Sequence, residues 1–225
     1  MSEPFSGRPQ VFRDPIHGHV AFAGELGKTV KRLVDTPEFQ RLRHIRQNGI
    51  TNLVFHGAEH SRFAHSLGVA FTATRMLAAI QRNSDLTLTE EEHDDTVLAA
   101  LLHDVGHGPF SHTLEEILRE LAVDFDHEAM TVRFMREGNI ASILEDSSVG
   151  RSVRLVEFIE KKKDDTRVRW WHSIVSSQLD ADRLDYVQRD ACMAGISNHR
   201  PDIPRLIEYL GVSDGRVIVD IVRSM

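Results

Sequence analysis

The apolar run from Val97 to Leu102 ends directly on His103-Asp104, and this junction restricts the fold more than any other part of the chain. Thr89-Glu90-Glu91-Glu92 stands ahead of the run as a capping box, so the segment predicts a helix that enters a core. An aspartate carried there alone would lose several kcal/mol of hydration, and it needs a cation or strong hydrogen bonds in return. Other segments must therefore converge on His103-Asp104.

Those other segments read as helical. Thr36-Pro37 predicts an N-cap with proline in the first turn, and Gly49 the end of that helix. A helix from Ser61 to Arg82 carries Phe63, Leu67, Ala70, Phe71, Thr74 and Leu77 at helical spacing. The helix holding His103 should end near Gly106 or Gly108-Pro109. Further helices are predicted at 111–122, 127–137, 139–145, 149–162, 170–194 and from Pro204 to Leu210, with Gly195 as a C′ stop. Residues 11–22 contain Pro15 and Gly18 and read as a turn between two short extended pieces, and 216–222 alternates as a short strand. The Lys161-Asp165 charge run reads as a solvated loop. The expected architecture is an all-α single domain, 1–225, with a hairpin region at 11–24 and a helical core over about 30–210.

Composition removes several function classes. The apolar residues are dispersed, so no stretch of 18 or more is expected to span a bilayer, and the N-terminus lacks a basic-then-apolar leader. One cysteine, Cys192, excludes an internal disulfide framework and fits a reducing, cytoplasmic setting. A net charge of -7 argues against a broad nucleic-acid surface while leaving room for a small arginine-lined phosphate pocket. With 13 histidines beside that cysteine, any bound metal must rely on imidazole and carboxylate.

Four distant segments share that chemistry. EHSRFAHSLG has Arg62 and His65 three residues apart on one helical face. HDVGHGPFSH holds His103, Asp104, His107 and His112; DHE holds His127 and Glu128. QLDADRLDYVQRD places Asp182, Tyr186 and Asp190 at i, i+4 and i+8, on one face of one helix. His65 and Asp182 can join His103-Asp104 in a His2Asp2 set suited to Fe, Mn, Zn, Co or Ni. Singly, each has a plain reading: a packed histidine, turn glycines at 106 and 108, and a polar helix face for Asp182, Asp185 and Asp190. Their recurrence in four places is what the plain readings fail to explain.

Taken in this order, SRFAHSLG, HDVGHGPFSH and DADRLDY resemble the HD-domain deoxynucleoside triphosphate triphosphohydrolases. DPIHGHV, DTPEFQRLRHIRQ and RDACMAGI extend the likeness from about residue 11 to 210. The resemblance implies an HD helical bundle, metal ligands at His65, His103, Asp104 and Asp182, and an arginine near the α-phosphate and sugar at Arg62. It implies a polar network at the scissile bond from His107, His112, His127 and Glu128, and a glutamine on the sugar 3′-hydroxyl at Gln47. Tyr186 and Asp190 match residues that close on the sugar, and Glu115 stands where some relatives support a histidine with aspartate. The implied reaction splits a dNTP into deoxynucleoside and triphosphate, with His112 as acid for the departing 5′-oxygen and Mg accompanying the substrate phosphates. Homo-oligomers and a guanine-nucleotide activator site also belong to the family. Val11, Asp35, Gln40 and Arg43 match parts of the activator site, with Gln10 in place of a phosphate-binding lysine. Relatives continue beyond this core, so the chain reads as a minimal member or a fragment. Alternatives are an HD phosphohydrolase for another nucleotide or single-stranded nucleic acid, or a nucleotide-binding regulatory subunit.

Overall fold

The computed structural model describes residues 9–110, 112–160, 169–196 and 201–220, with the His112 side chain outside that set. The Lys161-Asp165 run and residues 221–222 of the expected strand also lie outside the described residues.

The described residues open with the antiparallel hairpin of β1 (Gln10–Asp14) and β2 (Gly18–Phe22), in register from Gln10↔Phe22 to Asp14↔Gly18. Asp14 Oδ1 accepts from the backbone N–H of Ile16 and His17 at 2.8 and 2.9 Å, and Gly18 supplies the positive φ of 72° that closes the turn. Alternation turns Val20 and Phe22 into the core.

A helix follows where none was expected: α1 (Gly24–Val34), ended by Asp35. Gly24 and Gly27 argue against a helix in sequence, yet a Cβ at Gly27 would collide with the Phe22 carbonyl. Glycine is there for the close approach of hairpin to helix, not to break the helix. The helix expected from Pro37 to Gly49 is a correction in the other direction. α2 (Pro37–Gln40) gives way to a 3-10 turn over Arg41–His44, and Ile45 is extended. The backbone is drawn away by a bridge between Arg46 and Ser61, with Arg62 N donating to Ile45 O at 2.8 Å and Gln47 N to His60 O at 3.0 Å.

The centre of the domain is α3 (Arg62–Asn83), capped by Ser61. It packs against α4 (Glu90–Leu102) on one side and α10 (Ala181–Met193) on another. Val69, Ala70, Ala73, Met76, Leu77 and Ile80 of α3 meet Leu98, Leu101 and Leu102 of α4 in one core. α3 corrects the expectation that nothing reaches membrane-spanning length and hydropathy: an 18-residue window has mean hydropathy 1.2. That window is 72% buried inside the domain, so the neighbouring helices account for its apolar character. Both halves of the Thr89–Glu92 capping box are present on α4, which stops at Leu102, leaving His103 as its C-cap, short of the expected end.

α5 (His112–Glu120), α6 (His127–Arg136), α7 (Gly138–Ser147) and α8 (Arg151–Ile159) continue the bundle. The helix expected over 170–194 is two: α9 (His172–Val175), then α10 after a break. Asp180 forces the restart, its carboxylate accepting from Ser177 N and Arg183 N at 2.8 Å each. α11 (Ile203–Glu208) ends two residues early because Leu210 begins β3 (Leu210–Ser213), which pairs with β4 (Arg216–Val219).

Candidate metal centre and adjoining pocket

Three helix termini converge. His65 lies in the first turn of α3, His103 caps α4, and Asp182 lies in the first turn of α10. Ligand atoms of these three residues lie within 4.8 Å of one another. His65 Nε2 is 3.0 Å and His103 Nε2 3.7 Å from Asp182 Oδ1. Asp104 flanks the group, with Oδ2 3.8 Å from His65 Nε2 and Oδ1 3.4 Å from His103 Nε2. One of its oxygens is also paired with the Arg62 guanidinium.

The remaining ring nitrogens are committed. His65 Nδ1 donates to Asp185 Oδ2 and His103 Nδ1 to Ala100 O, each at 2.8 Å. Both Nε2 atoms are buried and make no well-aligned hydrogen bond. A buried, unsatisfied nitrogen costs about 1–3 kcal/mol, and two of them facing carboxylates form the environment a divalent cation would relieve. The donor set therefore fits a metal of the imidazole–carboxylate type.

Electrostatics point the same way. Burial opposes charge on His65, but the Asp182 carboxylate 3.0 Å from Nε2, the hydrogen bond to Asp185 and the field of Asp104 more than offset it, raising its pKa to about 9. His103 is raised for a similar reason: Asp104 and Asp182 outweigh its burial. Burial also works against the ionised carboxylates, yet His103 and Arg62 hold Asp104, and the two histidines hold Asp182, well below the usual range. The cluster keeps its carboxylates charged and attracts positive charge.

Sequence reasoning missed the support behind His65. Asp185 is fully buried and bonded also to Arg189 and to His17 from the hairpin turn, the latter at 2.6 Å. Arg189 Nη1 reaches Asp14 Oδ2 at 2.9 Å. The available signal was the i, i+4 spacing of Asp185 and Arg189, which in isolation reads as a surface ion pair.

A second cluster lies beside the first. His107, Glu115 and His127 bring ligand-type atoms within 4.8 Å of one another. The two imidazoles stack with centroids 3.9 Å apart and planes at 17°. Glu115 Oε1 takes His127 Nδ1 at 2.5 Å, so the longer glutamate arm reaches its histidine. His107 Nε2 stands 3.5 Å from Asp104 Oδ1 and links the clusters. Glu128 is exposed, and with His103, Asp104, His127 and Asp182 it lines a cleft of about 200 Å³. Gly106 permits this packing: a side chain there would meet His127 O and Thr131 on α6. Arg41 ties down the loop by donating to the carbonyls of His107, at 2.6 Å, and Val105.

On the other side of Arg62 opens a pocket of about 480 Å³. Gln47, Arg62, Tyr186 and Asp190 all line it, together with Phe110. The i, i+4, i+8 face of α10 thus runs from the metal cluster at Asp182 into this pocket, where Asp190 Oδ1 is 2.9 Å from His60 Nε2. The residues matched to an activator site are engaged locally. Asp35 caps α1 and pairs with Lys31 at 2.5 Å, and Gln40 donates to Val34 O at 2.7 Å. Arg43 donates to Gln40 at 2.7 Å and lies over the Phe63 ring. Gln10 and Val11 are paired within the hairpin.

The HD domain family model matches residues 62–190, the stretch that carries both clusters, while the pocket also draws on residues 47–51 ahead of it. The chain belongs to the HD domain family. Within it the resemblance is to deoxynucleoside triphosphate triphosphohydrolases: SAMHD1 of Gallus gallus, which bears that name, is 33% identical over 91% of this chain and 37% of its own length. An uncharacterized Bacillus subtilis protein is 38% identical over 93% of this chain and 46% of its own. Among solved structures, a Bacteroides thetaiotaomicron phosphohydrolase superposes with a TM-score of 0.79 at 30% identity, over 94% of this chain and 49% of that one. The chain spans about half the length, or less, of these curated relatives.

Proposed function

We propose that the chain hydrolyses deoxynucleoside triphosphates to a deoxynucleoside and inorganic triphosphate. The observation that carries this reading is the 480 Å³ pocket, which gathers Gln47, Arg62, Tyr186 and Asp190 and is tied to the metal-type cluster through the Arg62–Asp104 pair. Such a pocket has the size of a small-molecule site. The name of the SAMHD1 relatives supports the choice of substrate.

In this reading His65, His103, Asp104 and Asp182 hold one divalent ion (Fe, Mn, Zn, Co or Ni), which when bound lowers the pKa of water and polarises the α-phosphate. Arg62, already aimed by Asp104, meets the phosphate charge without having to be ordered first. Gln47 hydrogen-bonds the 3′-hydroxyl, and Tyr186 under C2′ excludes a 2′-hydroxyl. Asp190, which lies beside His60, closes on the sugar. His127, with Glu115 on Nδ1, stacks on His107, and the two manage protons at the scissile bond. His112 delivers the proton to the leaving 5′-oxygen. Mg accompanies the substrate phosphates, and the active form is a homo-oligomer.

The test is incubation with all four dNTPs and all four NTPs across Mg, Mn, Fe, Co and Zn, resolving nucleoside, nucleotide and polyphosphate. Triphosphate with free deoxynucleoside is expected. Orthophosphate or pyrophosphate would redirect the chain to another HD phosphohydrolase activity, and tight binding without product to a regulatory role. His112→Ala should cut turnover about 100-fold or more while keeping metal binding; unchanged turnover removes the acid role.

A further inference from the structure

We propose that the β1–β2 hairpin is a working part of the metal centre, with His17 and Asp14 acting through Asp185 and Arg189 as positioning residues for His65. The proposal rests on the metal reading above, and names residues that reading does not require.

Asp185 has no exposure, and both its oxygens are fully used. Oδ1 takes His17 Nε2 at 2.6 Å and Arg189 Nη2 at 2.9 Å; Oδ2 takes His65 Nδ1 at 2.8 Å and Arg189 Nε at 2.7 Å. Arg189, equally buried, spends Nη1 on Asp14 Oδ2 at 2.9 Å. The other oxygen of Asp14 accepts the N–H groups of Ile16 and His17, which shapes the turn that presents His17. His17 is also seated edge-on against Phe71 of α3, with centroids 5.5 Å apart. An unbroken line of bonds therefore runs from the hairpin turn to the imidazole of His65.

Two features argue that this line serves the metal rather than stability alone. A buried ionic cluster is a poor stabiliser compared with well-packed apolar residues, because desolvation cancels most of its attraction. Its geometry also has a specific product: a carboxylate on Nδ1 fixes the tautomer and turns Nε2 toward Asp182 and His103, as outer partners of metal-bound histidines do. Room for the pair is made inside α3. A side chain at Gly68, one turn past His65, would collide with Asp185 Oδ1 and Arg189 Nη2. Glycine is otherwise unfavourable mid-helix.

The test uses the full chain and Co(II) alone, read by its d–d absorption and by chelator competition. His17→Ala and Asp185→Asn are expected to bind Co(II) about 10- to 100-fold more weakly, with an altered spectrum and an unchanged far-UV circular dichroism spectrum. His17→Gln, which keeps a hydrogen-bond donor, should fall closer to wild type. Coupling is reciprocal, so Co(II) should slow hydrogen exchange across residues 10–22 of the wild type and not of His17→Ala. Wild-type affinity and spectrum in folded His17→Ala overturn the proposal. Should Asp185→Asn fail to fold, the His17 pair decides. His103→Ala is the control: if it binds Co(II) like wild type, the metal reading fails instead.

Discussion

His65 illustrates how one side chain links protonation, metal and stability. Its pKa in the folded chain is raised to about 9, against about 6.5 when unfolded. Without metal, the stability it contributes is fully present below about pH 6.5 and is lost as pH rises through 9. A divalent ion needs the neutral ring, so binding expels the proton and affinity climbs over the same window. Thermal denaturation of the metal-free chain between pH 6.5 and 9 should therefore show Tm falling, and saturating Mn or Co should remove that slope. A metal-free Tm that is flat or rising across that window contradicts this account. The residues around His65 differed in legibility. His65, His103, Asp104 and Asp182 each stand in a short motif, and it was the recurrence of such motifs in distant segments, with the family resemblance, that singled them out. Asp185 and His17 are 168 positions apart, and no local pattern announces such a bond.

Between elements, the division of labour is between a packed interior and an exposed frame. Leu77 of α3 is fully buried among the α4 leucines, so Leu77→Ala should cost about 2–5 kcal/mol in denaturant titration. Thr89→Ala removes a cap on an exposed turn and should cost about 1 kcal/mol with turnover unaffected. Helices with strong caps, α3 and α4, were readable because the start signal and apolar period agree. α1 was hidden by glycines placed for tertiary contact, and the turn after Gln40 by a bridge to Ser61 that no local propensity encodes. Asp180, an N-cap in mid-segment, was the overlooked sign that 170–194 is not continuous.

For the whole molecule, sequence reading fixed the helical class and the convergence of distant segments, because burying His103-Asp104 demands partners. It left open which face of each helix meets which, since that is decided by packing. The convergence has a further outcome in α10. Asp182, Tyr186 and Asp190 are cut to a single helical phase, one on the cation side and two on the pocket side. Each residue added to a helix turns everything downstream by about 100°. One alanine inserted between Leu184 and Asp185 would leave Asp182 at its post, swing Tyr186 and Asp190 out of the pocket, and turn Asp185 and Arg189 away from His65. Such a variant should lose turnover on dNTPs altogether, measured as released triphosphate, and the same insertion placed in the loop before Asp180 should do far less harm. The helix works as a ruler whose graduations the reaction reads, and lengthening it by one mark would separate the two halves of the site.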